Sequence, residues 1–342
     1  MAGVSPLPDK VQSEHEVSPK PILEIASGFL AAKHLFIANE VGLFDALTTH
    51  GPATLATLSD RLHLPARTLR IVTDAMVALG ILVQTGGTYS HSPVSQAFLS
   101  GQGPGDLRPF LRFWNRLSYP NWLNYEQAIR GEPGTHKQKE WTEEEGRIFS
   151  EGVEAITAET AQALAMTYDF GKHQRVLDVG GGTGSFLVAL LRQHPHLQPT
   201  LYEISSVLAV AQNRLLTTPY HDTINLVAGD FFHDPLPDGH DVVLVANVIH
   251  LLSPDHNRQL LTKIRQAVPS KARLLLVDFW TDSTHTAPPF AALMAGEFLL
   301  VSREGDVYSV EEVKTWLEET QWQMVEHRPL SGASTLIVSE TV

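Results

Sequence analysis

The sequence predicts an α/β protein: a mostly parallel, doubly wound sheet with an antiparallel C-terminal edge, preceded by a smaller helical domain of winged-helix type. Three observations predict it. From residue 175 onward, short apolar runs alternate with helical segments: RVLDVG, TLYEI, INLVAGD, DVVLVAN and RLLLVDF. That alternation marks parallel strands joined by helices. Two later runs, WQMVEHRPL and STLIVSE, lie close together and fit an antiparallel pair. Before residue 100 the order is helix, helix, helix, hairpin. At 342 residues the chain is also longer than one hydrophobic core usually supports.

Residues 1–20 are polar and Pro-containing and read as a flexible tail, without the apolar run of a signal peptide. Residues 21–100 form the winged-helix-like domain. Its first segment, ILEIASGFLAAKHLFIANEVGLFDAL, has apolar residues on more than one face, which a lone surface helix does not need. A homodimer through this domain is the expected use. Lys33, His34 and Glu40 interrupt the segment, so no uncharged apolar stretch reaches the roughly 18 residues that span a bilayer. ATLATLSDRLHL and PARTLRIVTDAMVALGIL are two short helices, the second with Pro65 near its first turn. ILVQTGGTYSHS reads as two strands around a Gly-Gly turn.

A winged helix raises the question of DNA. Residues 1–100 carry six Lys/Arg against eight Asp/Glu, and only Arg61, Arg67 and Arg70 lie near the would-be recognition helix. A DNA-binding face needs a basic stripe. The net charge of −13 argues against nucleic acid and against anionic membranes as partners. With no Cys, disulfides, thiolate metal sites and a catalytic thiol are excluded, and the sequence is compatible with a cytoplasmic location. His233, His240 and His256 scatter over loops without ligand spacing, so no metal is expected. Residues 101–167 read as a helical connector, with a helix from about Thr142 to Thr167. Phe113, Trp114 and Trp122 within it are candidates for a pocket wall. Residues 168–342 form the cofactor domain.

The turn in VLDVGGGTGSF, residues 176–186, follows a strand and opens a helix. Gly180, Gly182 and Gly184 give G-x-G-x-G, and Leu187 or Ser185 stands where a dinucleotide fold wants its third Gly. No Gly-Lys-Ser/Thr follows, which excludes a phosphate-cradling P-loop. The neighbours of the loop are acids. Asp178 precedes it, Glu203 ends the second strand where a carboxylate takes both ribose hydroxyls, and Asp230 ends the third beside Phe231 and Phe232. An acid next to an aromatic ring suits adenine. Three carboxylates repel a pyrophosphate but tolerate a cationic sulfonium with an amino group, which is S-adenosylmethionine. Each acid alone could equally cap a helix or turn.

DVGGGTG, YEISSVLAVAQ, GDFFHDPLP and VANVIHLLSPDHNRQLL, in this order after a winged-helix segment, resemble the hydroxyindole and plant phenolic O-methyltransferases and their bacterial relatives of secondary metabolism. The resemblance runs from about Ile22 to Val338. It implies a class I methyltransferase domain, a dimer through the N-terminal domain and a small phenolic or aromatic acceptor. It also implies that His250 is the general base, that Asp278 orients it, and that Asn247 joins the cofactor-binding residues. The sequence departs from the family at three points. The common His-Asp-Trp is here His250-Leu251-Leu252, Ala246 stands where plant members often carry Lys, and Glu203 replaces an Asp.

A hydroxyl attacks better once deprotonated, which calls for a base near the reacting oxygen. His250 follows strand DVVLVAN and Asp278 closes RLLLVDF, at the carboxyl end where open α/β sheets bind ligands. The missing acid after His250 leaves room for transfer to carbon or nitrogen, with His250 only shaping the pocket, and for a non-catalytic ligand sensor. PPFAALMAGEFLLVS, residues 288–302, is a helix whose Phe290, Met294, Glu297 and Phe298 fall at helical spacing. With Trp280, Trp114 and Phe113 they make a flat apolar acceptor pocket. Glu297 is the odd charge there: it either meets a polar group of the acceptor or lies exposed.

Overall fold

The computed structural model describes residues 17–103, 105–132 and 142–342. The chain divides into two compact units, with the break between Ser92 and Pro93, earlier than the residue 100 expected. The connector expected as a separate piece belongs to the second unit. Most of the tail, residues 1–16, lies outside the described residues.

In the first unit, α1 (Lys20–Glu40) and α2 (Leu43–His50) replace the single long segment read from the sequence. Gly42 separates them with φ +76°, a left-handed conformation that glycine adopts without steric cost. Next come β1 (Ala53–Thr54), α3 (Leu55–Leu62), α4 (Ala66–Ala78), β2 (Leu82–Thr85) and β3 (Thr88–His91). β3 lies between β1 and β2, antiparallel to both. Gly86 and Gly87 both have positive φ, as a two-residue hairpin turn requires. This is the winged-helix order. α1 leaves Ile22, Leu23, Ile25, Phe29 and Leu30 exposed, Ile25 at 82%. By length and composition α1 is also apolar enough to cross a membrane.

The second unit opens with α5 (Pro93–Phe98), α6 (Arg108–Phe113), a π-helical turn over Trp114–Ser118, α7 (Tyr119–Asn121), a 3₁₀ turn over Trp122–Asn124 and α8 (Tyr125–Ile129). α9 (Glu143–Thr167) starts at a capping box in which the Thr142 hydroxyl accepts from the Glu145 amide and Glu145 accepts from the Thr142 amide. Alternating strands and helices follow: β4 (Arg175–Val179), α10 (Ser185–Gln193), β5 (Gln198–Glu203), α11 (Ser205–Leu215), β6 (Asn225–Ala228), β7 (Val242–Ala246), α12 (Pro254–Ala267) and β8 (Arg273–Asp278). After α13 (Pro289–Ser302) and α14 (Val310–Glu319), β9 (Trp322–Ser331) and β10 (Ser334–Thr341) close the sheet.

The sheet order is β6-β5-β4-β7-β8-β10-β9, parallel from β6 to β8 and antiparallel at β10 and β9. β10 enters between β8 and β9, with Thr335 opposite Asp278. The central strands read as unbroken apolar runs because both faces are covered. Successive residues go to opposite cores. Leu177, Val243, Val245, Leu274 and Leu276 join the core under α12 and α14, while Val176, Val242, Leu244, Leu275 and Val277 join the one under α9, α10 and α11. Each fully buried Val or Leu contributes roughly 1.5–3 kcal/mol. Strand order reverses between β4 and β7, and the loops after these two strands bound the crevice where such sheets bind ligands.

Candidate active site

β4 ends in the glycine loop. Gly180, Gly182 and Gly184 all have positive φ, and Gly184 caps the start of α10. Gly181, which falls between the motif glycines, is the most crowded. A Cβ there would lie 2.4 Å from the Asp178 carboxyl and 2.6 Å from Leu201. Asp178 is therefore not at the rim of the site as its position before the loop suggested. It is 0% exposed under the loop, and neither carboxyl oxygen has a hydrogen-bond partner. Burial, then the Glu203 charge, pushes its pKa up to about 8.

Glu203 ends β5 and accepts from the backbone amides of Gly182 at 3.0 Å and Ile204 at 2.8 Å. Burial raises its pKa against the lowering effect of these amides. Asp230 lies just beyond β6 rather than in it. It accepts from the Phe232 amide at 2.8 Å and pairs with His233 Nδ1 at 2.8 Å, and the backbone hydrogen bond followed by His233 holds its carboxyl below the ordinary value. Phe231 and Val248 flank Gly180. Val248 was not singled out in the sequence, since an apolar residue after an apolar strand carries no signal. Asn247 holds the turn after β7 at φ +57°, its amide donating to Val277 at 2.9 Å. Behind the loop, the Arg214 guanidinium pairs with Glu154 of α9 and donates to the Thr183 carbonyl at 3.3 Å. These two residues are far apart in sequence and were not expected.

His250 sits in a 3₁₀ turn after β7, buried. Its Nδ1 is 2.5 Å from Asp278 Oδ1, and its amide donates to Asp278 Oδ2 at 3.3 Å. The Phe279 amide also donates to Asp278 Oδ1, at 2.8 Å. An ionised carboxylate only accepts, so in the neutral imidazole the proton sits on Nδ1 and the lone pair on Nε2. Nε2 has no hydrogen-bond partner among the described residues and is not one of the polar atoms sealed from solvent. Phe298 stacks on the ring at 3.6 Å and 15°. Phe279 stacks beyond it, with Phe290 edge-on to Phe279. Met294 packs against the small cluster of Ala291, Phe298 and Val307.

The other expected wall residues divide. Trp280 is in the core with Ile249, Leu252, Tyr308 and Trp316, because it points to the opposite face from Phe279. Phe113 packs on α9 against Phe149 and Gly152. Trp114 stays half-buried, edge-on to Phe110. Glu297 is not exposed. It is 5% accessible, and one of its oxygens, Oε2, accepts from Ser118 Oγ at 2.7 Å and Trp122 Nε1 at 2.6 Å.

Residues 121–323 match the O-methyltransferase domain and residues 23–101 match the O-methyltransferase dimerisation domain. The chain belongs to the O-methyltransferase family. This methyltransferase is 33% identical over 307 residues to 3-hydroxy-5-methyl-1-naphthoate 3-O-methyltransferase of Streptomyces sahachiroi, covering 88% of each chain. It is 28% identical to the N,N-dimethyltransferase OxyT of Streptomyces rimosus, over 89% of its own length and 91% of the relative's. Among solved structures it resembles human N-acetylserotonin methyltransferase in complex with SAM. There the TM-score is 0.86 at 22% identity, with 96% and 99% of the two chains covered. The methyl donor of the family is S-adenosylmethionine. The residues of this methyltransferase fit that donor: the loop leaves open space over Gly182, where an added Cβ would meet nothing within 4 Å, and Glu203 and the Phe231 ring stand beside it.

Proposed function

We propose that the protein transfers a methyl group from S-adenosylmethionine to the hydroxyl of a small, flat aromatic secondary metabolite, as a homodimer joined through its N-terminal domain. The observation that carries this reading is the His250–Asp278 pair, with one ring nitrogen fixed on a buried carboxylate and the other left unpaired. The Gly180–Gly184 backbone and Glu203 would hold the donor's adenosyl part, with Asp230, Phe231 and Asn247 at the base end. Asp178 supports the loop from below. When bound, the donor supplies an electrophilic methyl on a cationic sulfur. Nε2 of His250 takes the acceptor's hydroxyl proton as the oxygen attacks, and the Asp278 carboxylate stabilises the resulting imidazolium. Phe298, Phe279, Phe290 and Met294 provide the apolar wall that orients a flat ring and keeps water from the attacking oxygen. The naphthoate substrate in the name of the 33% relative agrees with such a wall.

The test is transfer of labelled methyl to hydroxylated naphthalenes. His250→Ala is expected to lose about 10²- to 10⁴-fold in kcat while binding the donor unchanged by calorimetry. Full activity in that variant would remove His250 from the role. The likeness to an N,N-dimethyltransferase favours a second reading, transfer to an amine. Fragmentation of the product identifies the methylated atom and decides between them.

A further inference from the structure

Glu297 is a carboxylate in an apolar helix, and its surroundings do not account for it. Oε2 takes two hydrogen bonds, from Ser118 and Trp122. Oε1 takes none, yet it is not among the polar atoms sealed from solvent. Among the described residues no Lys, Arg or His lies within ion-pair distance of it. A carboxylate this buried and without a counter-charge is costly. α13 places it between two constructed walls. On one side, Gly296 lets the helix approach the Trp122 and Tyr125 rings, where a Cβ would meet them at 2.8 and 3.2 Å. On the other, Phe298 lies on the His250 ring. Of three consecutive residues in α13, Gly296 thus approaches the aromatic segment, Glu297 carries the unpaired oxygen and Phe298 lies on the His250 ring.

We propose that Glu297 Oε1 is the specificity-determining atom of the acceptor site, receiving a hydrogen-bond donor carried by the acceptor at a position remote from the methylated atom. The reading rests on the acceptor chamber proposed above. A hydroxyl would satisfy the oxygen, and an ammonium would also neutralise it, so a cationic donor binds better. The Ser118 and Trp122 hydrogen bonds on Oε2 fix the carboxylate's rotation and leave Oε1 as its unpaired oxygen. A site built to hydrogen-bond a substrate group rejects analogues lacking it far more strongly than an apolar pocket discriminates by size.

Three probes test this: 2-naphthol, a dihydroxynaphthalene and an aminomethyl-naphthol. Binding is measured by calorimetry in the presence of the demethylated donor, and turnover by labelled methyl transfer. For wild type the order of affinity is expected to be aminomethyl-naphthol, dihydroxynaphthalene, 2-naphthol. Glu297→Gln keeps an acceptor for Ser118 and Trp122. It should weaken the cationic probe by about 30-fold or more through KM with kcat little changed, and leave 2-naphthol unaffected. Trp122→Phe keeps the ring but frees the carboxylate's rotation, and should weaken the two donor-bearing probes while leaving 2-naphthol nearly unaffected. A Glu297→Gln loss equal across the probes, or no difference from wild type on any, including no binding at all, overturns the proposal. Glu297-dependent binding of a donor-bearing probe without methylation of its hydroxyl would leave this proposal standing and reject O-methylation.

Discussion

Asp178 places two carboxylate oxygens under the glycine loop with nothing to accept from. With its pKa near 8, the folded protein binds this proton between roughly pH 4 and 8, where the unfolded chain has released it. Stability from this residue is therefore present below about pH 4, falls as pH rises, and is fully lost above 8. The slope is at most about 1.4 kcal/mol per pH unit. Urea unfolding from pH 5 to 8.5 should show that slope in wild type and a flatter one in Asp178→Asn. Equal slopes would mean that the carboxyl finds a partner in solution. Residue identity alone could not reveal this. The acid before the loop was legible in the sequence, but whether it faced the ligand or the interior depended on the crowding of Gly181 between it and Leu201. In the same way His250 and Asp278 were legible as strand-end residues. Trp280 was misplaced because successive residues leave a strand on opposite faces, and which face is interior depends on α14, far along the chain.

At the scale of elements, the glycine loop does not hold itself. The Arg214–Glu154 pair joins α11 to α9, and its third hydrogen bond takes the Thr183 carbonyl. Charge-assisted hydrogen bonds of this kind contribute more than neutral ones. Arg214→Ala is expected to weaken donor binding about tenfold, equivalent to about 1.4 kcal/mol, with kcat at saturating donor nearly unchanged. Calorimetry with the demethylated donor checks it, and unaltered affinity would show that α10 and β4 suffice. Strand–helix alternation made every parallel strand readable in the sequence, the central ones as unbroken apolar runs because both of their faces are buried. The Arg–Glu clamp and the Glu297–Trp122 contact were not readable, since both depend on how helices distant in sequence come together.

At the scale of the whole molecule, α1 exposes Ile25 and Phe29, 82% and 55% accessible, in a unit that matches the family's dimerisation domain. An apolar stripe of this kind on a single chain marks an interface. Replacing both residues by Glu should yield a monomer in sedimentation equilibrium while the second unit keeps its donor affinity. A dimer surviving both charges would move the interface elsewhere. The excess of apolar residues on that helix is plain from the order of its amino acids, whereas its division at Gly42 is not, because a lone glycine inside a helical pattern is often tolerated.

The position of β10 between β8 and β9 has a consequence for biosynthesis. Thr335, which pairs with Asp278, follows it by 57 residues. At about 5–20 residues per second a ribosome takes several seconds to reach it. During that interval the strand ending in Asp278 has emerged with one edge bare, an adhesive row of amides and carbonyls beside LLLV. The nascent chain therefore passes through a window in which chaperone capture competes with aggregation, and Asp278 gains its neighbour only when that window closes.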